Sequence, residues 1–277
     1  MHGIGTPAWI EAMKATPSVA VSNRSFRLSR SEWVSLAALA SIVGIWALLP
    51  FIPQDPGYHN FADQRRWLGI EHAADVLSNI GLALVGLVGA VLLLSARRPD
   101  ISPETRAAMW CTAGGLLLTA AGSGWYHLNP NDWTLVWDRL PMTLAFAGIF
   151  SVAIAQRVGP RAARASLAVL IPLGIASVGY WRMTGDLSLY AALQFGGGAA
   201  MVALLSLTPR DGDPFPWRWV VVCYVLAKVV EGADRLIWDA SGHIVAGHML
   251  KHLLAAAAGA AMLWPLRGRG WRSRSVG

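Results

Sequence analysis

Eight stretches of predominantly apolar residues follow one another along this chain, separated only by short connections. Each is close to the roughly 20 residues that a helix needs to cross the hydrocarbon core of a bilayer. They lie at about 33–53, 73–95, 107–127, 137–156, 164–181, 187–207, 217–236 and 246–266. Hydrophobic residues make up 55% of the 277, charged residues only 14%, and the mean hydropathy is +0.44. That is too apolar for an ordinary soluble domain of this length. The expected fold is all-α, a polytopic membrane helix bundle without a separate soluble domain.

A net charge of +7 could point to nucleic acid, but its distribution argues against that partner. Most of the 23 basic residues fall in alternate connections and the two tails, among them Arg97, Arg98, Arg157, Arg161, Arg210 and Arg267. This is the bias that orients spans with positive loops inside, and it predicts cytoplasmic termini. The two cysteines, Cys111 and Cys223, fall within spans and read as packing residues rather than a disulfide. Residues 1–32 read as a flexible cytoplasmic tail. The span at 33–53 is too long for a cleavable signal and reads as an uncleaved anchor, closed by Pro50, Pro53 and Pro56. Residues 58–266 form the core and 267–277 a basic cytoplasmic tail. Gly86 with Gly89, or the run Gly196–Gly198, offers close helix approach. Trp125, Trp133, Trp137 and Trp238 suit interfacial anchoring.

Polar residues gather at one depth. Ser123 and His127 end the third span in GSGWYH, Asp138 opens the fourth in VWDRLP, and His248 with His252 opens the eighth in GHMLKH. Residues four apart share a helix face, so His248 and His252 can hold one metal ion. His127 arrives at the same level from another helix. Three imidazoles with an open fourth position form a common set for hydrolytic zinc, and such a site also needs a group to move the proton. Asp138 suits that role, and Ser123 suits hydrogen bonding to a developing oxyanion.

Each residue has a plainer reading as well. A buried histidine can be a packed, hydrogen-bonded core residue. Asp138 can pair with Arg139 or cap its helix, and Ser123 can bond back to its own helix. No Gly-x-Ser-x-Gly elbow surrounds Ser123. In the seventh span, Glu231 can pair with Lys228 or Arg235, or Glu231 or Asp234 can orient a histidine of the metal set. His243 reads as a loop residue before His248 rather than a ligand, and His59 and His72 lack partners at useful spacing.

Together, Ser123-x-x-x-His127, Asp138 and His248-x-x-x-His252, with the phrases DVLSNIG, AKVVEGADRLIW and SGHIVAGHMLKHLLAA, resemble the prokaryotic-like branch of the alkaline ceramidase family. That family belongs to a superfamily of seven-helix membrane hydrolases that includes the adiponectin and progestin receptors. The resemblance covers about residues 58–265 and implies a seven-helix core, which makes the first span an addition. It implies zinc on His127, His248 and His252, with Ser123 and Asp138 beside it. The implied activity is cleavage of the N-acyl amide of a ceramide-like lipid to a sphingoid base and a fatty acid. Eukaryotic members also carry a compact acidic calcium motif. Here Asp63, Glu71, Asp75 and Asn79 do not reproduce it, so calcium does not carry over with the resemblance.

The leading expectation is therefore a zinc amidohydrolase whose lipid enters sideways from the bilayer. Its site is expected near the extracytoplasmic face, and the membrane expected is a bacterial cytoplasmic one. A receptor-like or lipid-sensing protein with structural zinc is the second reading, and a metal transporter or bis-histidine haem protein the third.

Overall fold

The computed structural model describes residues 28–95, 101–209 and 214–267. Among these residues the chain is helical, with isolated bridges as its sole extended pairing. Helix α1 spans Arg30–Leu48. Helices α2 (Ala73–Ser78) and α3 (Ile80–Ser95) form one rod interrupted at Asn79. Then come α4 (Pro103–Leu128), α5 (Asp132–Arg157) and α6 (Pro160–Thr184). The next rod joins α7 (Ser188–Ala191), a π-turn (Ala192–Gly196) and α8 (Gly197–Leu205). Helix α9 (Trp217–Gly232) breaks at Ala233 before α10 (Asp234–Ala240), and α11 (Gly247–Leu263) ends in a 3-10 turn.

Helix occupies each of the eight expected spans. Five rods are long and apolar enough to cross a membrane: Ala73–Ser95, Asp132–Arg157, Pro160–Thr184, Ser188–Leu205 and Gly247–Arg267. The other three are less clear-cut for local reasons. α1 offers a shorter apolar stretch, Leu36–Leu48. α4 carries Ser123 and His127, and α9 holds Lys228 and Glu231 within 16 residues.

Several expectations need correction. The first helix ends at Leu48, because Pro50 and Pro53 force the following residues into extended backbone. Most of the expected N-terminal tail, residues 1–27, and the C-terminal residues 268–277 lie outside the described residues. The span expected to run unbroken to 236 divides at Ala233. α5 begins at Asp132 with Asn131 as its cap, so Asp138 lies well inside the helix and caps nothing.

Small residues set the packing. A Cβ on Gly122 would overlap the Trp137 carbonyl oxygen, and one on Gly115 would lie 2.5 Å from the Ala145 nitrogen. α4 and α5 therefore touch backbone to backbone. Gly86 approaches the Ala113 carbonyl, and Gly89 receives Leu263. The run Gly196–Gly198 makes no such approach; it starts at the last residue of the π-turn, and Gly197 and Gly198 line a cavity. Trp125, Trp133 and Trp137 are exposed, as interfacial anchors would be. Trp238 instead packs against Ala62 and Ala246, with the Arg65 guanidinium 4.6 Å from its ring. Cys111 and Cys223 are free thiols.

Asp186 fastens the segment after α1 to the bundle. Its carboxylate accepts from the Ile52 N–H at 3.0 Å, the Ser188 N–H at 2.9 Å, the Ser188 hydroxyl at 2.7 Å and the Tyr180 hydroxyl at 3.1 Å. Burial raises this carboxyl, but the donated hydrogen bonds outweigh it and hold the group below the ordinary carboxylate range. A depressed folded pKa contributes stability above the unfolded value of about 3.9 and loses it as pH falls through the folded one. Asp186→Asn should lower the thermal midpoint at neutral pH by about 3–6 °C. The gap from the unmodified protein should close toward pH 3 in melts followed by circular dichroism.

Candidate metal centre

Two helices deliver the three histidines. His127 ends α4, one turn after Ser123, while His248 and His252 lie one turn apart on α11. Gly247 makes this possible: a Cβ there would overlap the Val230 carbonyl and lie 2.8 Å from the Asp234 Cα. α11 thus starts directly against the break between α9 and α10. The Asp234 carboxylate accepts the His248 backbone N–H at 2.8 Å and the Ala62 N–H at 2.9 Å. One side chain caps α11 and fixes the loop that crosses over it.

All three imidazoles are buried, and each offers a ligand atom within 4.8 Å of the others. Their ring centroids lie 4.8, 5.1 and 5.1 Å apart. Neither ring nitrogen of His127 has a hydrogen-bond partner, although His127 is fully buried. Orphaned buried polar atoms are rare because each costs about 1–3 kcal/mol. A metal ion removes this anomaly, and three neutral imidazoles are a suitable donor set for a divalent one.

The other contacts define which nitrogen each ring presents. The Ser78 hydroxyl donates its proton to the Asp75 carbonyl at 2.9 Å and lies 2.7 Å from His252 Nδ1. A hydroxyl has one proton to give, so here it accepts from Nδ1–H. That choice leaves the Nε2 lone pair of His252 for a ligand. Nε2 is also 3.5 Å from the Ser123 hydroxyl. His248 Nε2 lies 3.1 Å from Lys251 Nζ.

Phe61 closes the site on the side of the loop. Its ring centroid is 4.7 Å from that of His127 and 4.6 Å from that of His248, within a cluster that includes Tyr126 and Trp181. On the other side, a cavity of about 380 Å³ runs between α5, α8 and α9. His252, Ser123, Asp138 and Lys251 line its polar part; Phe150, Leu170 and other apolar side chains line the rest. The cluster is thus shielded toward the loop by Phe61 and reachable from the apolar chamber through His252.

The structure brings His127, His248, His252 and Ser123 together and sets Asp138 next to Ser123, whose hydroxyl interacts with its carboxylate. Asp138 does not pair with Arg139. That guanidinium hydrogen-bonds Gln54 at 2.9 Å and stacks over Trp181 at 4.3 Å and Tyr190 at 5.1 Å. Glu231 and Asp234 touch no histidine ring. Glu231 pairs with Lys228 and Lys251, not Arg235, and Asp234 holds backbone.

Asp63 pairs with Arg65 at 2.6 Å and Glu71 with Arg66 at 3.3 Å. His59 bridges Tyr126 at 2.9 Å and Asp132 at 3.2 Å. His243 lies 3.3 Å from Asp239 and stacks on Trp238.

Ser78, Phe61 and Lys251 escaped sequence reading as members of the site. Lys251, three residues after His248, was detectable from helical spacing. Ser78 sits in DVLSNIG but carries no spacing signal toward α11, and Phe61 lies in a loop without periodicity. No protein-family model matches the chain, and no curated protein matches it.

Purified protein should carry about one divalent metal per chain by elemental analysis, with His127→Ala or His252→Ala losing most of it. Phe61→Ala should open the loop side. Metal transfer to a soluble chelator, followed by indicator absorbance, should then run about 10–100-fold faster.

Proposed function

We propose that this protein is an integral-membrane zinc amidohydrolase of the alkaline ceramidase type. On this reading it cleaves the N-acyl amide of a ceramide-like or other N-acyl lipid. The observation that carries the proposal is the buried three-histidine cluster, with both His127 nitrogens unpartnered, beside an apolar cavity whose polar end holds Ser123 and Asp138. Such a pairing suits a long acyl chain held next to a hydrolytic centre. The motif resemblance supports the same reading and supplies the ceramide-like substrate class.

His127, His248 and His252 would hold the ion, which when bound supplies Lewis acidity toward a carbonyl and toward water. The chain's own residues do the rest. Apolar walls of α5, α8 and α9 take the acyl tail, so the amide stops at the polar end. An Asp138 carboxylate oxygen removes a proton from the attacking water and returns it to the departing amide nitrogen. The carbon–nitrogen bond breaks, giving a fatty acid and a free amine. The Ser123 hydroxyl donates to the carbonyl oxygen as its charge grows. Ser78 keeps the His252 ring in one tautomer, and Phe61 keeps bulk water out.

The charge bias of the connections supports cytoplasmic termini and a site near the extracytoplasmic face. Substrate then enters from the lipid phase rather than from water.

Lipid extracts incubated with protein in nanodiscs and read by mass spectrometry test this proposal. N-acyl amides should be consumed with matching release of fatty acid. Asp138→Asn should slow turnover about 10²–10⁴-fold while keeping its metal, and chelation should abolish turnover until zinc is restored. Metal without turnover on any acyl lipid would favour the lipid-sensing reading, and full turnover by both Asp138→Asn and His252→Ala would refute the assigned roles.

A further inference from the structure

The polar end of the cavity holds more charge than hydrolysis uses. Lys228 and Glu231 of α9 and Lys251 of α11 line it together with Ser123, Asp138 and His252. Glu231 lies between the two amines: one oxygen accepts from Lys228 Nζ at 2.7 Å, the other from Lys251 Nζ at 2.8 Å. Lys251 Nζ also sits 3.1 Å from His248 Nε2. Among the described residues no hydrogen bond links Asp138 to either lysine.

A structural ion pair in a span would be complete with one lysine. Here both Glu231 oxygens are taken, whereas an ammonium has three protons to donate. Lys228 uses one of its three, and its nitrogen otherwise lies only near the Phe195 ring, at 5.9 Å. The cluster's remaining hydrogen-bonding capacity is therefore mainly that of the ammonium donors, and Asp138 in the same lining brings the formal charge of the two amines and two carboxylates to zero. Ionisable groups at such depth are costly and mark the ligand path. What this cluster can recognise is an acceptor bearing negative charge.

Position narrows the ligand further. Lys251 touches a member of the histidine cluster, so the recognised group belongs close to the scissile amide. The apolar walls account for the acyl tail, which leaves the amine half of the substrate. We propose that Lys228 and Lys251 form a subsite for an oxyanion, carboxylate or phosphate, borne one or two carbons from the amide nitrogen. The preferred substrates are then anionic N-acyl amines, such as N-acyl amino acids, rather than neutral ones. This inference rests on the amidohydrolase reading for its cleavage step, but not for its binding step.

The test uses full-length, metal-loaded protein in nanodiscs. Palmitoylglycine, palmitoylethanolamine phosphate and neutral palmitoylethanolamine share one acyl chain and differ in the amine half. Binding and hydrolysis are measured for each. The anionic lipids should bind about tenfold tighter than the neutral one, with a similar gain in kcat/KM; their order tells carboxylate from phosphate. Lys228→Gln should bring the anionic-to-neutral ratio close to one, and Lys228→Arg should retain it. Equal affinity of the unmodified protein for all three lipids would overturn the subsite whatever the variants do. So would a Lys228→Gln variant that weakens anionic and neutral lipids alike. Selective binding of the anionic lipids with no hydrolysis of any would sink the amidohydrolase reading and leave the subsite standing.

Discussion

The site depends on a backbone approach that no side chain larger than hydrogen permits. Gly122 of α4 rests against the Trp137 carbonyl of α5, one residue from Ser123 and one from Asp138. That contact puts the hydroxyl and the carboxylate side by side, and the helix repeat then carries His127 one turn further along the same face. Gly247 repeats the device where α11 meets the junction of α9 and α10, placing His248 and His252 opposite. Close packing of this kind is how helices associate when lipid removes most of the hydrophobic drive. In this protein it also fixes the distances between functional groups.

Around that frame, polar groups are satisfied in layers. Asp234 spends one carboxylate on two backbone N–H groups, from Ala62 and His248, so loop and helix are fixed by the same side chain. Ser78 donates its hydroxyl hydrogen bond to the Asp75 carbonyl and thereby orders the His252 ring. Arg139 is carried by aromatic faces and Gln54 rather than by its acidic neighbour, leaving Asp138 free of it. Each arrangement resolves the cost of a polar group in a buried helix.

Much of this was legible in the sequence because length, hydropathy and four-residue spacing are properties of single helices. The eight helical segments, the two pairs Ser123/His127 and His248/His252, and their common depth follow from those properties alone. What was hidden depends on contacts between helices or on loop geometry. Ser78 reaches a ring on a helix far away in the chain, and Phe61 takes its place through ring contacts with Tyr126, His127 and His248, next to an Ala62 held by Asp234. Asp138 was expected at a helix mouth because the apolar stretch begins near it, yet Asn131 caps the helix earlier. The break at Ala233 was not read from the sequence, although Glu231, Gly232, Asp234 and Arg235 interrupt the apolar run around it.

The π-turn at Ala192–Gly196 forms part of the chamber wall through Leu193, Gln194 and Phe195, while the three clustered histidines stand on α4 and α11. A π-turn accommodates one residue beyond the α-helical register. Excising a single residue there would turn the preceding wall positions by about 100° relative to α8 without moving any imidazole. The chamber's bore and depth are therefore set on a different rod from the histidines, and a single-codon deletion or insertion there reshapes the chamber while leaving α4 and α11 intact.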